Sequence, residues 1–275
     1  MAVKTPLKWV GSKARIMPQL KQHLPEGKRL VEPFAGSCAV MMNTDYDEYL
    51  IADVNPDLIN LYQQIKDKPE AVLHYLGKTF MLDNSAEGFY KNREHFNTNL
   101  RHPIERAVLF LYLNRHCFNG LCRYNKRGHF NVPYGKYKKP YFPKDEIVAF
   151  AEKAKRATFL CASYAETLDL VRDGDVVYCD PPYLTESENF TAYHASGFNH
   201  MDQGRLSRRL RKLAAKGVPV VASNADLPAV HYLYAGFEAM RINAPRSIGA
   251  AATSQKTAVE LILKSPLDSI VMACK

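Results

Sequence analysis

Three features of the 275-residue chain predict an α/β fold on a mostly parallel sheet that ends in an antiparallel hairpin. Apolar, β-favouring runs alternate with helical stretches in two blocks, from Arg29 to about Gln64 and again from about Thr158, as strand–helix–strand units require. The last two such runs have no helix between them, so they pair antiparallel. Residues 70–143 change character to helical patterning followed by a loop rich in aromatics and cations. They form an insertion that leaves the sheet and returns to it. The predicted division is a sheet-bearing domain of residues 1–69 and 144–275 and a smaller, mainly helical domain of residues 70–143.

In chain order, "RLVEPF" is a buried strand and "YLIADV" a second. "NPDLINLYQQI" is a helix, because Asn55 suits a cap and Pro56 suits the first turn. In the insertion "IERAVLFLYLNRH" has helical patterning, and "FNGLCRYNKRGHFNVPYGKYKKPYFP" is loop-like. "TFLCAS", "DVVYCD" and "VPVVASN" are three further strands, with a helix of roughly 201–216 ahead of the third. "GFEAMRI" and "TAVELILK" make the terminal pair, and the small, polar "NAPRSIGAAATSQK" between them is expected to be a mobile loop.

Composition narrows the partners. The longest apolar run, Ala107 to Leu113, is far too short to span a membrane, and "MAVKTPLKWVGSK" lacks the apolar core of a signal peptide, so a cytoplasmic protein is expected. Six scattered cysteines with no Cys-x-x-Cys pair predict reduced thiols and no structural metal. Between Lys91 and Lys139 there are eleven Lys/Arg and two acids, an excess equal to the whole-chain net charge of +9. One segment thus carries the excess, as a polyanion-binding footprint would.

"VVYCDPPY" poses a chemical question. Proline removes a ladder donor and restricts its predecessor, so the strand stops at Cys179 or Asp180. The chain then makes a stiff turn offering a carboxylate, carbonyls and an aromatic ring. An exocyclic amine on a base has hydrogens to donate and a lone pair delocalised into its ring. The Asp180 carboxylate and the Pro181 carbonyl suit its two N–H bonds, and Tyr183 suits its flat face. At the same rim, Gly36 of "EPFAGS" lets backbone approach a ligand closely, and Asp53 either caps the following helix or takes a ribose diol. The loop lacks the three-glycine spacing of a dinucleotide fingerprint, which a nucleoside without a pyrophosphate tolerates.

Taken in order, "LKWVGSK", "VEPFAGS", "ADVNPDLINLY", "AVLFLYLNRHCFNGLCRYNKRGHFNVPYGKYKKPYF", "VVYCDPPY" and "NFTAYH" give the sequence a family resemblance over nearly its whole length. It resembles the Dam-type DNA adenine-N6 methyltransferases, in the α-group motif order. The resemblance implies a Rossmann-like S-adenosylmethionine-dependent methyltransferase sheet with an inserted target-recognition domain, and a flipped-out adenine methylated in duplex DNA, within GATC. It implies catalytic roles for Asp180, Pro181, Pro182 and Tyr183. It puts Trp9, Lys13, Glu32, Phe34, Gly36, Ser37, Asp53 and Asp180 around S-adenosylmethionine. In the insertion, Arg123 matches the guanine-reading arginine, Leu121 and Pro133 match apolar base contacts, and Phe118 matches the wedge into the stack. Arg93, Arg115, Asn125 and Lys136 become phosphate contacts, and Lys8 a contact to the outer base pair. "GSK" replaces a double glycine before the lysine, and "FAGSC" lacks the second glycine of the loop. No obligatory protein partner is expected. The alternatives are a methyltransferase of RNA or of a protein amide, and a DNA-binding protein without the chemistry.

Overall fold

A computed structural model describes residues 2–98, 101–185, 198–245 and 257–266. Seven strands form one sheet: β1 (Arg29–Glu32), β2 (Glu48–Asp53), β3 (Ala157–Cys161), β4 (Asp175–Cys179), β5 (Val220–Ala225), β6 (Glu238–Pro245) and β7 (Thr257–Lys264). Their order is β3-β2-β1-β4-β5-β7-β6. The first five run parallel, while β7 pairs antiparallel with both β5 and β6. This is the mixed α/β sheet with a terminal antiparallel pair that the strand patterns predict. Every residue of β4 is buried, as expected of a parallel strand covered on both faces. β4 stops at Cys179, directly before Asp180 and the proline pair.

Side chains alternate between the two faces. Leu30, Val176 and Ile262 face one core, which also takes residues from α1 (Met17–Leu20), α2 (Ala39–Asn43), α3 (Pro56–Asp67), α4 (Pro69–Leu82), α5 (Ala86–Asn97), α6 (Pro103–His116) and α7 (Lys144–Ala154). Val31, Val177 and Leu263 face the other, beneath α8 (Tyr164–Leu168), α9 (His200–Ala215) and α10 (Pro228–Leu233). The start of α3 is set locally. Asn55 Oδ1 accepts the Asp57 and Leu58 amides, and Pro56 occupies the first turn. The helices of the insertion share a continuous core with the sheet.

Helix α6 is buried from Ala107 to His116, which explains its unbroken apolar run. Its last turn buries three polar residues. Asn114 donates to the carbonyls of Lys8 (2.8 Å) and Gly120 (3.0 Å) and accepts the Lys8 amide at 2.9 Å. Arg115 donates to the carbonyls of Thr5 and Pro6. His116 Nδ1 donates to the Tyr112 carbonyl at 2.9 Å. Residues 5–8 are thereby stitched to the end of α6. Of "NAPRSIGAAATSQK", Asn243 to Pro245 belong to β6, and the rest lies outside the described residues. No helix among the described residues is long and apolar enough to cross a membrane.

Candidate active site

The strand order reverses between β1 and β4, and ligands of open α/β sheets bind beyond the carboxyl ends at such a point. Glu32 ends β1 there and Asp180 comes directly after β4. Glu32 is buried and its Oε1 has no partner among the described residues. Burial pushes its pKa up to about 8, against a hydrogen bond from the Met41 backbone, and the Asp180 charge adds to the rise. Asp180 Oδ1 is likewise buried and has no partner among the described residues, while Oδ2 lies 2.8 Å from Lys13 Nζ. Burial raises the Asp180 pKa to about 6, opposed by that ammonium. Each of the two carboxyls thus keeps one buried oxygen without a partner among the described residues. Asp53 differs, because its oxygens accept the amides of Gly36 (3.2 Å) and Asn55 (3.0 Å). It ties the glycine loop to the entry of α3, whose cap is Asn55.

The N-terminal motif closes over the glycine loop. Gly36 has φ +46°, and a Cβ there would stand 3.0 Å from Trp9 Nε1, so the close approach that glycine permits is to the indole. Ser12 and Ser37 hydroxyls meet at 2.9 Å, and Tyr62 donates to the Gly36 carbonyl. Lys13 is buried between the Gly11 carbonyl and Asp180. Cys38, where the second glycine is missing, keeps the left-handed backbone at φ +57°, a conformation that costs about 1–2 kcal/mol with a Cβ. Phe34 stacks on Tyr164 and meets Phe198 edge-on, giving the rim an aromatic wall.

The turn after β4 is held by amides. Pro182's carbonyl accepts from Gln203 at 2.6 Å, Gln203 Oε1 accepts from Asn224 at 3.2 Å, and Asn224 Oδ1 takes the Leu184 amide at 3.1 Å. Both amide side chains are fully buried. The Pro181 carbonyl accepts no hydrogen bond among the described residues. Tyr183 donates its hydroxyl to Glu260 on β7 at 2.7 Å. Cys179 is buried, and burial holds its thiol well above the usual range, so it stays un-ionised.

Beyond α6 the chain turns at Phe118–Gly120 and folds into a hairpin closed by bridges Cys117–Tyr134 and Tyr124–Phe130. Phe118, Pro133 and Lys136 are exposed, and Leu121 is half-buried. Arg123 donates from Nε to Asn131 Oδ1 (2.7 Å) and from Nη2 to the Asn131 carbonyl (3.2 Å), leaving Nη1 without a partner among the described residues. Asn125 Oδ1 closes its own turn on the amides of Arg127 and His129. Arg93 donates to the Val132 carbonyl at 3.0 Å. Lys8 Nζ sits 4.0 Å from the Tyr137 ring centroid. A Cβ on Gly120 (φ +66°) would collide with Lys8, so hairpin and N-terminal motif touch.

A model of the D12 class N6 adenine-specific DNA methyltransferases matches residues 9–248 of the chain. The chain belongs to that family. It is 52% identical to the Retron Ec67 DNA adenine methylase of Escherichia coli over 264 residues, covering 96% of this chain and 92% of that one. It is 45% identical to the DNA adenine methylase of Serratia marcescens, over 93% of this chain and 96% of that one. Against the DNA adenine methylase of Escherichia coli K12 the figure is 44%, over 93% of each chain. The protein is an adenine-specific DNA methyltransferase, and the buried acceptors at the switch point lie within the matched residues.

In the methyltransferase Arg115 is 6% exposed, with its guanidinium on the Thr5 and Pro6 carbonyls. The charge excess of the insertion is also smaller at its surface than on paper, since Arg106 pairs with Asp57. Sequence reading missed four neighbours of these residues, Glu260, Gln203, Asn224 and Asn114, which hydrogen-bond to Tyr183, Pro182, Leu184 and Lys8 from 21 to 106 residues away, beyond any local pattern. "NFTAYH" lies outside the described residues.

Proposed function

We propose that this methyltransferase uses S-adenosylmethionine to methylate N6 of an adenine flipped out of duplex DNA, within GATC. The observation that carries the reading is the division of labour in the turn. Pro182's carbonyl is tied to Gln203, while the Pro181 carbonyl and Asp180 Oδ1 are left as acceptors. They take the two amine hydrogens and draw the nitrogen lone pair out of conjugation, and the Tyr183 ring supports the base. When bound, S-adenosylmethionine would supply a methyl group on a sulfonium sulfur for direct transfer to N6, the methyl–sulfur bond breaking and the neutral thioether leaving. Asp180, raised to about 6, is ionised at neutral pH and basic enough to take the proton that N6 sheds. No cysteine nucleophile is needed.

The residues fit that cofactor. Glu32 offers one buried oxygen without a partner among the described residues, and Trp9, Lys13, Phe34, Gly36, Ser37, Asp53 and Asp180 are assigned to the same rim. Residues 1–69 and 144–275 carry the chemistry, and 70–143 read the DNA. Arg123, pinned along its Nε edge by Asn131, presents the rest of its fork to guanine O6 and N7. Leu121 and Pro133 touch neighbouring bases, Phe118 wedges into the stack, and Lys8 reaches the outer pair. Arg93, Asn125 and Lys136 contact phosphates. The enzyme works in the cytoplasm on nucleoid DNA, without an obligatory protein partner.

The test is transfer of labelled methyl from S-adenosylmethionine to two matched duplexes, one containing GATC and one with those bases scrambled. Label on adenine N6 of the GATC duplex alone is expected. Label on both refutes the assigned specificity. Label on neither refutes the substrate assignment and moves the search to RNA.

A further inference from the structure

We propose that Glu260 is a positioning residue for methyl transfer, holding the Tyr183 ring in the plane on which the flipped adenine stacks. The inference rests on the roles proposed for Asp180 to Tyr183. Four side chains converge behind the turn: Lys13 from the N-terminal motif, Asp180 and Tyr183 from the turn itself, and Glu260 from β7. Tyr183 Oη donates to Glu260 Oε2 at 2.7 Å. Lys13 Nζ lies 2.8 Å from Asp180 Oδ2, 4.0 Å from Glu260 Oε2 and 4.9 Å from the Tyr183 ring centroid. The Lys13 side chain is 6% exposed and each carboxylate 19%.

Glu260 breaks the pattern of its strand. In "TAVELILK" it stands two residues before Ile262, on the face that Ile262 commits to the core. An acid in such a place contradicts the local hydrophobic pattern, and such contradictions fall at functional sites. It is also rigidly mounted, because it pairs with Ala225 of β5 on one side and Ile242 of β6 on the other. A site group built on a strand is held more firmly than one on a loop.

The hydroxyl anchor matters because a stacking platform helps only if it is in place before the base arrives. An unanchored phenol ring swings about its side-chain torsions, and each productive encounter must then select one orientation. The Lys13 contact is the longer one, and Lys13 already has Asp180. The Tyr183 hydroxyl has Glu260.

The experiment measures the single-turnover rate of methyl transfer to a GATC duplex at saturating S-adenosylmethionine. It compares the parent with Glu260→Gln, Glu260→Leu, Tyr183→Phe and the double variant Tyr183→Phe/Glu260→Leu. Leucine keeps the volume and suits the strand face but accepts no hydrogen bond; glutamine keeps an acceptor oxygen and loses the charge. Glu260→Leu and Tyr183→Phe should each slow transfer by about tenfold or more, the size of a lost hydrogen bond to a charged group. The double variant should be no slower than the slower single one. Glu260→Gln should recover to within about threefold of the parent, and duplex and cofactor dissociation constants should change less than about twofold throughout. Multiplying effects in the double variant, or a Gln variant as slow as the Leu variant, would overturn the assignment and leave Glu260 a counterion of Lys13. A parent that transfers no methyl to adenine would instead refute the underlying reading of the turn.

Discussion

Glu32→Gln should stabilise the ligand-free protein, and by an amount that depends on pH. The substitution keeps the shape of the side chain and removes a buried ionisable group. In the parent this carboxyl titrates at about 8 when folded and near its usual 4.5 when unfolded. The folded state therefore holds a proton that the unfolded state releases. That stabilising contribution is fully present below about pH 4.5 and is lost as pH rises through about 8. Integrating between the two values gives a penalty of about 3 kcal/mol at pH 7 and under about 1 kcal/mol at pH 5. Gln carries none of it, while other titrating groups occur in both proteins and largely cancel. Urea unfolding of both proteins at pH 5 and pH 7 measures the difference. A gain of about 3 kcal/mol at pH 7 that falls to under about 1 kcal/mol at pH 5 is expected. An equal gain at both pH values, or a variant less stable at pH 7, would refute the claim that burial holds Glu32 protonated. The stabilised variant should also bind S-adenosylmethionine more weakly, since the acceptor it loses faces the cofactor site.

Asp180→Ala should abolish methyl transfer while Cys179→Ala keeps substantial activity, and the reverse order in a transfer assay would remove the direct-attack mechanism. Arg123→Ala should relax discrimination at one guanine by about 1–3 kcal/mol, whereas Lys136→Ala should weaken all duplexes alike and lower the salt slope of binding by about one. Competition binding on cognate and scrambled duplexes separates the two. Arg115→Ala should cost about 3 kcal/mol of stability or more, by leaving the Thr5 and Pro6 carbonyls without their donor, yet leave the salt slope unchanged. A slope reduced by one would restore it as a phosphate contact. Trp9 is the sole tryptophan, so saturating cofactor should change the intrinsic fluorescence, and an unchanged spectrum would count against its place in the site.

The strands were legible because β1, β4 and β5 are covered on both faces and so read as nearly continuous apolar runs. Helix α3 was legible from Asn55 and Pro56 alone. Helix α4 has a starting proline without a capping side chain, and α5 a capping Ser85 without a proline, so neither carries the pair that marks α3; α8 and α10 do have a local start signal, a Ser163/Glu166 capping box and Pro228, but are only five and six residues long. The acidic and aromatic members of the site could be read because the turn after β4 confines them to consecutive residues. Their supports could not. Glu260 belongs to the site only through the β5–β7 pairing, and Gln203 and Asn224 only through the packing of α9 against β5. The burial of Arg115 was illegible for a related reason. A basic residue next to a basic loop looks like part of it, and nothing local reveals that α6 turns it inward toward the carbonyls of residues 5 and 6.

The stitching of residues 5–8 to the last turn of α6 bears on protein engineering. Exchanging residues 70–143 between relatives looks like a cut-and-paste of one contiguous block, but the block has a third attachment far from both of its seams. A chimaera that imports residues 70–143 alone would set a foreign helix end against the host's first strip of chain, with Asn114, Arg115 and Gly120 all needing matched partners there. The transplantable unit is the segment together with residues 5–9, taken from the same donor.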